Sequence, residues 1–155
     1  MTTDIDTNFM KEALKDAEAA FNKGEVPVGA ILVINNEIIE RSGNTIQTEK
    51  NPLKHAEMIV INNVLTKLKC KYLYKATLYV TVEPCIMCTG AIILSRLGRL
   101  VYGADDPKTG ACKSLYHVLT DRRLNHKVEV VSGICALECK SLMQKFFQNK
   151  RRLKD

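Results

Sequence analysis

The segment VEPCIMCTGA (residues 82–91) places Cys85 and Cys88 three residues apart, directly after Pro84. Residues at i and i+3 share one face of a helix, so both sulfur atoms can reach the same ion. Proline suits the first turn of a helix, and the positive end of the helix dipole favours thiolates. Taken alone, the segment is compatible with a redox pair, half of a structural zinc site or two buried apolar side chains.

A second segment, HAEMIV (residues 55–60), supplies a third candidate ligand in His55. A structural zinc site commonly takes four ligands from two C-x-x-C motifs, and the sequence contains no second C-x-x-C. One histidine and two cysteines leave a fourth coordination position open, which a catalytic zinc needs for a water molecule. Glu57 follows two residues after the histidine, and next to such a water it is predicted to carry protons.

The remaining pattern predicts alternating helices and strands. Apolar residues at helical spacing indicate a first helix that ends near Gly24, and residues 26–40 read as a hairpin with its turn at Asn35 and Asn36. Further helices are predicted over residues 55–68, from Pro84 to residue 92, and over 135–149; further strands are predicted over 76–82, 99–104 and 127–134. This order predicts an α/β layered fold around one central sheet and a single domain over residues 1–155.

Charge and composition narrow the class of protein. The formal net charge is +6, and basic residues gather in a C-terminal tail over about residues 148–155, which favours a polyanionic partner such as nucleic acid. On charge alone, a solvated surface and a frayed tail explain the same pattern better than a nucleic-acid partner does. The first ten residues are polar, and no apolar run approaches the roughly 18 residues of a membrane helix. We therefore predict a cytoplasmic protein without membrane contact, whose six cysteines are thiols or ligands.

H-x-E followed by P-C-x-x-C resembles the signature of the zinc-dependent nucleoside and nucleobase deaminases. Longer stretches are similar to the bacterial tRNA-specific adenosine deaminases: EVPVGAILV, HAEM, TLYVTVEPCIMCTGAI, RLVYGADDPKTGA and LNHKVEVVSGI. The similarity runs from the first helix through the C-terminal FF-x-x-KRR and so extends over nearly the whole chain. The resemblance implies a three-layer α/β/α cytidine-deaminase-like fold with a five-stranded mixed sheet. It also implies a cytoplasmic homodimer that converts adenosine to inosine at the wobble position of a tRNA anticodon, chiefly in an arginine tRNA, releasing ammonia.

The resemblance also assigns roles to individual residues. It implies one zinc per subunit, held by His55, Cys85 and Cys88, with Glu57 as the catalytic proton carrier. The substrate-binding positions that it implies are Asn44 for the purine, Val26 and Pro27 for the wall of the base pocket, Asp106 and Lys108 for the anticodon nucleotides, and Phe146 and Phe147 for an aromatic contact to RNA. Asp105 stands where many members of the family carry a basic residue.

Three alternatives remain open from the sequence. The first is a deaminase of the same superfamily that acts on a free base such as guanine or cytosine, because the zinc signature is shared. The second is a zinc-stabilised RNA-binding module without catalysis, in which Glu57 would have no function as a proton carrier. The third is a thioredoxin-like redox protein, which would need neither His55 nor Glu57 beside its thiols.

Overall fold

The computed structural model describes residues 4–154. Its elements in chain order are α1 (Asp4–Asn22), β1 (Gly29–Ile34), β2 (Glu37–Gly43), α2 (Ile46–Glu49), α3 (Ala56–Leu68), β3 (Thr77–Val82), α4 (Ile86–Leu94), β4 (Arg99–Ala104), a 3₁₀ turn (Val118–Thr120), β5 (Glu129–Val131) and α5 (Ala136–Lys154). Residues 1–3 and 155, which belong to the predicted domain, lie outside the described residues, and residue 155 also belongs to the predicted basic tail.

The five strands form one mixed sheet in the order β2-β1-β3-β4-β5. β1 runs antiparallel to both β2 and β3, whereas β3, β4 and β5 run parallel to one another. The turn between β1 and β2 consists of Asn35 and Asn36, with φ values of 51° and 61°. Two successive positive φ values are typical of a type I′ turn, which matches the twist of a two-residue hairpin. The predicted sheet and the predicted hairpin are confirmed.

Apolar side chains cover both faces of the sheet. One buried cluster joins α3 and α4 to alternate strand residues such as Leu32, Val80 and Leu100. The other joins α1 and α5 to the residues between them, such as Ile31 and Val101. Because successive strand residues point to opposite faces, this alternation fixes the order of layers as helices, sheet, helices. The predicted three-layer architecture is confirmed.

The structure differs from the sequence-based prediction at three elements. The strand predicted over 127–134 pairs only over Glu129–Val131, since Gly133 (φ 84°) and Cys135 (φ 55°) turn the chain into α5. The final helix continues to Lys154, so residues 148–154 are its last turns and not a separate tail. The short helix α2 was not predicted. Among residues 4–154, no helix combines the length and the apolarity needed to cross a membrane.

The parallel part of the sheet determines where the loops meet. β3 ends at Val82 and β4 ends at Ala104, and the two strands are neighbours running in the same direction. The segment that follows β3 carries both candidate cysteine ligands, and the segment that follows β4 carries Asp106. Both segments therefore emerge at the same edge of the sheet, which is where open α/β sheets commonly bind ligands.

Candidate metal centre and its cavity

Two helix starts bring the three predicted ligands together. His55 is the residue that immediately precedes α3, and Cys85 immediately precedes α4. Cys88 lies one turn further into α4 and is fully buried. The two sulfur atoms are 3.7 Å apart, and each lies 3.6 Å from Nδ1 of His55. Within residues 4–154, these three side chains form the one group of candidate ligands close enough to hold a metal ion.

The spacing of the donor atoms fits a tetrahedral zinc ion. With Zn–S near 2.3 Å and Zn–N near 2.0–2.1 Å, tetrahedral ligands lie about 3.6–3.8 Å from one another. The three measured separations fall within that range. One imidazole and two thiolates are also a donor set that suits zinc and leaves one coordination position for a non-protein ligand.

The protonation of the cluster favours metal binding. A hydrogen bond from the Cys88 thiol, together with one from His55, lowers the pKa of Cys85 to about 4. The same pairing with Cys85, and then burial, raises the pKa of Cys88. The hydrogen bond with Cys85 raises the pKa of His55. Cys85 is thus the thiol that ionises most readily, and a bound cation would displace the protons that remain on the cluster.

Glu57 lies in the first turn of α3 beside this cluster. Its side chain is 3% exposed, and burial raises the pKa of its carboxyl group because the charged form loses its hydration. It is not one of the three metal donors. A buried carboxyl group with a raised pKa is suited to accept and release a proton during a reaction.

A cavity of about 200 Å³ opens in front of the cluster. Its lining includes His55, Glu57 and Cys85, and it also includes Val26, Asn44 and Asp106. The structure therefore gathers six of the predicted site residues around one space, and Cys88 contacts two of them, His55 and Cys85. Sites for drug-sized ligands usually measure about 300–1,000 Å³, so this cavity suits a smaller group such as a single nucleobase.

Asn44 has a structural contact in addition to its place in the cavity wall. It is 6% exposed, and its Oδ1 accepts a 2.8 Å hydrogen bond from the backbone N–H of Ala56. That N–H belongs to the first turn of α3, where backbone donors have no partner within the helix. Because its oxygen is used in this way, the side-chain NH₂ is the group that Asn44 can offer to a ligand.

Four predicted contact residues lie outside the cavity lining. Pro27 is buried between two residues that do line it, and Lys108 is exposed on the loop that carries Asp106. Phe146 is 5% exposed and packs edge-on against Phe21, with ring centroids 5.8 Å apart. Phe147 is 42% exposed. Of the two adjacent aromatic side chains, only the second therefore presents a substantial surface to a partner.

The two neighbouring aspartates on this loop are both engaged. Asp105 forms an ion pair with Lys113 at 3.3 Å. The carboxylate of Asp106 accepts hydrogen bonds from the backbone N–H groups of Lys108 and Thr109 and from the Thr109 hydroxyl, at 3.0, 3.2 and 2.7 Å. The additional negative charge of Asp105 is thus partly neutralised within the loop, and Asp106 stabilises the turn that it begins.

Sequence reasoning missed half of the cavity lining, namely Val28, Ile46, Val82, Glu83, Thr109 and Met143. The most consequential of these is Glu83, which lies within the quoted motif and is 3% exposed. Burial acts to raise the pKa of Glu83, but hydrogen bonds from Ser114 and from the backbone of Lys113, Ser114 and Asp106 outweigh it and lower the pKa to about 2. The carboxyl group is therefore ionised inside the protein.

Comparison with known proteins agrees with this site. A family model described as MafB19-like deaminase matches residues 5–151. The tRNA-specific adenosine deaminase of Bacillus subtilis is 49% identical over 149 residues, which are 96% of this chain and 92% of the relative. A solved structure from studies of A-to-I editing by tRNA:A34 deaminases at the wobble position of transfer RNA has a TM-score of 0.84 and 40% identity, and the match covers 88% of this chain and 99% of that one.

A more distant structure shares the fold. The guanine deaminase from Nitrosomonas europaea is 19% identical with a TM-score of 0.76, and the match covers 88% of this chain and 81% of that one. The family match over residues 5–151 and the 49% identity over 96% of the chain decide the classification. This chain belongs to the tRNA-specific adenosine deaminase family, a branch of the deaminases with the cytidine-deaminase-like fold.

Proposed function

We propose that this chain hydrolyses adenosine to inosine at the wobble position of a tRNA anticodon and releases ammonia. The observation that carries the proposal is the triangle of donor atoms formed by His55, Cys85 and Cys88, which faces a cavity that also contains the buried Glu57. The substrate is inferred from the relatives, which are named tRNA-specific adenosine deaminases. We further propose that the whole chain acts as one domain with one zinc ion per subunit.

Glu57 is the proposed catalytic residue. A zinc ion in the triangle would lower the pKa of a water molecule to about 7 and so supply a nucleophile at neutral pH. The Glu57 carboxylate would take one proton from this water and deliver it to N1 of the purine while the remaining hydroxyl group adds to C6. It would then take the proton of that hydroxyl group and pass it to the amino nitrogen, so that the C6–N bond breaks, ammonia leaves and the C6 carbonyl of inosine forms. Its burial suits this role, because a raised pKa lets the group both accept and return a proton.

The cavity wall orients the base. Asn44 offers its side-chain NH₂ to a purine acceptor while its oxygen stays bound to the start of α3. Val26 provides an apolar surface for the ring, and Pro27, which is buried beside it, supports that surface. A wobble adenosine reaches such a cavity at low cost, since the bases of an anticodon loop are unpaired and need only leave their stack.

Residues around the cavity mouth are proposed to contact the nucleotides on either side of the reacting base. Asp106 lines the mouth, and Lys108 projects from the same loop with its charge exposed. Phe147 is exposed and suited to stack on a base, whereas Phe146 supports it from the interior at a ring distance of 5.4 Å. Met143, one turn earlier on α5, belongs to the cavity wall itself.

We also propose a homodimer that acts on tRNA in the cytoplasm, with an arginine tRNA as the expected substrate. Support for self-association comes from large apolar side chains left exposed along α4 and the segment beyond β4: Ile86, Leu94, Leu115 and Tyr116. Support for the polyanionic partner comes from the net charge of +6 and from the basic end of α5.

The decisive experiment is a deamination assay on the zinc-loaded protein. The substrates are an anticodon stem-loop with adenosine at the wobble position, the same stem-loop with wobble guanosine, and free adenosine, guanine and cytosine. Mass spectrometry of the products is expected to show inosine in the first stem-loop alone. Turnover of a free base with the RNA unchanged would refute the tRNA substrate and support a nucleobase deaminase instead.

A further inference from the structure

Glu83 connects the metal-binding segment to the loop whose residues Asp106 and Thr109 line the cavity. It is the first residue after β3 and lies two residues before Cys85. Its carboxylate accepts five hydrogen bonds of 2.5–3.0 Å, from the backbone N–H groups of Asp106, Cys112, Lys113 and Ser114 and from the Ser114 hydroxyl. Two oxygens with about four acceptor sites are thereby fully used within the protein.

The donors are distributed unevenly between the two oxygens. Oε2 accepts the three successive N–H groups of residues 112–114. Oε1 accepts the N–H of Asp106 at 3.0 Å and the Ser114 hydroxyl at 2.5 Å. One carboxylate thus binds both ends of the loop formed by residues 105–114, which we call the cavity loop.

The cavity loop has further contacts with the metal-binding segment. The N–H of Ala111 donates a 2.9 Å hydrogen bond to the carbonyl oxygen of Pro84, and Gly110 forms an isolated antiparallel bridge with Cys85. A Cβ atom at Gly110 would overlap the Glu83 carboxylate, so only glycine permits this approach. The loop and the carboxylate therefore fit together closely at residue 110.

Hydrogen bonds extend from Glu83 to the cavity. Glu83 holds the N–H of Asp106, and the side chain of Asp106 in turn holds the N–H and hydroxyl of Thr109. Asp106 and Thr109 both line the cavity. A displacement of the Glu83 carboxylate would therefore move the cavity wall through hydrogen bonds in which none of the three metal donors takes part.

We propose that Glu83 is a positioning residue that fixes the cavity loop in the conformation that receives the nucleotides flanking the reacting base. Its assignment to RNA binding rests on the proposed function. It acts through Asp106 and Thr109 and offers no hydrogen bond to the base, because its acceptor sites are occupied by the loop. Its influence is on substrate binding, and the metal centre and the proton transfers by Glu57 do not require it.

Glu83→Gln tests this role with minimal change of shape. The amide oxygen of the glutamine can still accept the N–H groups of residues 112–114, and its NH₂ can donate to the Ser114 hydroxyl. The same NH₂ then faces the N–H of Asp106, so this one hydrogen bond is lost. Glu37→Gln, which removes an equal charge from the exposed start of β2, is the matched control.

The first measurement is hydrogen–deuterium exchange of the zinc-loaded protein without substrate. In Glu83→Gln the amide of Asp106 is expected to exchange about tenfold faster, the equivalent of one lost charge-assisted hydrogen bond. Amides 112–114 are expected to change less, and those of Glu37→Gln to stay as in the wild type. Unchanged exchange at residue 106 would overturn the proposal. This readout needs no turnover, so it separates failure of the proposal from failure of the wild-type protein to make inosine.

The second measurement separates kcat from KM on the anticodon stem-loop. Glu83→Gln is expected to raise KM about tenfold, with kcat within about threefold of the wild type and zinc at one per chain. A fall in kcat that follows a fall in zinc content would overturn the proposal, since it would place the effect on the metal centre.

Gly110→Ala is expected to raise KM by a similar factor when it is made in the wild-type protein. In a Glu83→Ala background it is expected to add little, because the overlap between the new Cβ atom and the Glu83 carboxylate is then gone.

Discussion

The Tyr79 hydroxyl donates a 2.7 Å hydrogen bond to the buried carboxylate of Asp6, which lies 73 residues earlier in the chain. Asp6 belongs to the first turn of α1, and Tyr79 lies on the central strand β3. The Arg99 guanidinium donates two further bonds of 2.7 Å to the same carboxylate. This cluster attaches the first helix to the middle of the sheet.

Tyr79→Phe is expected to lower the free energy of unfolding by about 1–2 kcal/mol, since Asp6 loses one buried donor but keeps Arg99. Urea unfolding monitored by circular dichroism measures the change. Tyr74→Phe, at a side chain 60% exposed, is the control and is expected to change stability by no more than about 0.5 kcal/mol. Equal losses in both variants would contradict the structural role of the Asp6 contact.

The same tyrosine predicts a loss of stability in alkali. Burial, and then the hydrogen bond and charge of Asp6, raise the pKa of Tyr79 above its ordinary value of 10.0. A raised pKa in the folded state means that the contribution is fully present below pH 10.0 and is lost as the pH rises above it, because the unfolded chain releases the proton first. Stability measured across that range should therefore fall more steeply for the wild type than for Tyr79→Phe. If the stability of both proteins fell in parallel with pH, ionisation of Tyr79 would not be the cause of the loss.

Cys88→Ser is expected to reduce bound zinc from about one per chain to a small fraction, since the site then keeps only two strong donors. Elemental analysis of the purified protein gives the zinc content, and thermal unfolding should show a lower midpoint because two helix starts lose their common ligand. Cys135→Ser, outside the cluster, is the control and should bind zinc normally. Normal zinc content in Cys88→Ser would mean that the donor triangle is not the metal site.

Glu57→Gln is expected to keep its zinc and to lose about 10²–10⁴-fold in kcat, which is the factor that a positioned proton carrier usually contributes to the rate. The side chain is not among the three donors, so metal content should match the wild type. Single-turnover inosine formation together with elemental analysis measures both quantities, with Glu18→Gln on the exposed face of α1 as the control. Loss of zinc, or an unchanged rate, would remove Glu57 from the proposed role.

Asn44→Asp separates the two functions of the asparagine. The aspartate oxygen can still accept the Ala56 N–H, so the start of α3 should remain intact. The NH₂ donor is replaced by a negative oxygen, and kcat/KM for the stem-loop is expected to fall about ten- to hundredfold, since one hydrogen bond to the base is lost. Asn44→Ala should show the same kinetic loss and also a lower unfolding midpoint. If Asn44→Asp were fully active, the residue would serve the helix alone.

Local sequence patterns predict a large part of this structure because the responsible forces are local. Asn35 and Asn36 adopt the positive φ values that a two-residue hairpin needs. The strand predicted over residues 99–104 coincides with β4, since a short β-branched and aromatic run between turn residues favours a buried strand. H-x-E and P-C-x-x-C predict the ligand cluster because each half begins a helix.

The features that sequence reasoning missed depend on distant contacts. Helix α2 has four residues, and its first N–H groups are bound by Glu25, which lies 22 and 23 residues earlier in the chain. Glu83 binds donors 23 to 31 residues later. No spacing rule indicates such partners. The extension of α5 to Lys154 could have been anticipated, because lysine and arginine are good helix formers and stabilise a helix C-terminus.

The basic end of α5 provides a test of RNA binding that is independent of catalysis. Met143 of this helix belongs to the cavity wall, and the helix continues from there to Arg151, Arg152 and Lys154. Replacing these three by glutamine is expected to weaken stem-loop binding and to reduce the slope of log K against log salt by about 0.7–0.9 for each phosphate contact removed. Fluorescence anisotropy over a potassium chloride series measures the slope.

The matched control removes the same charge elsewhere. Lys67, Lys71 and Lys75 are exposed and precede β3, whereas the cysteine ligands follow its other end. If RNA lies along α5, glutamine at these three positions should leave the salt slope near the wild-type value, because the same net charge is lost at a distance from the cavity. Equal reductions in both triple variants would instead show that net charge alone attracts the RNA, and the helix would then have no specific part in binding.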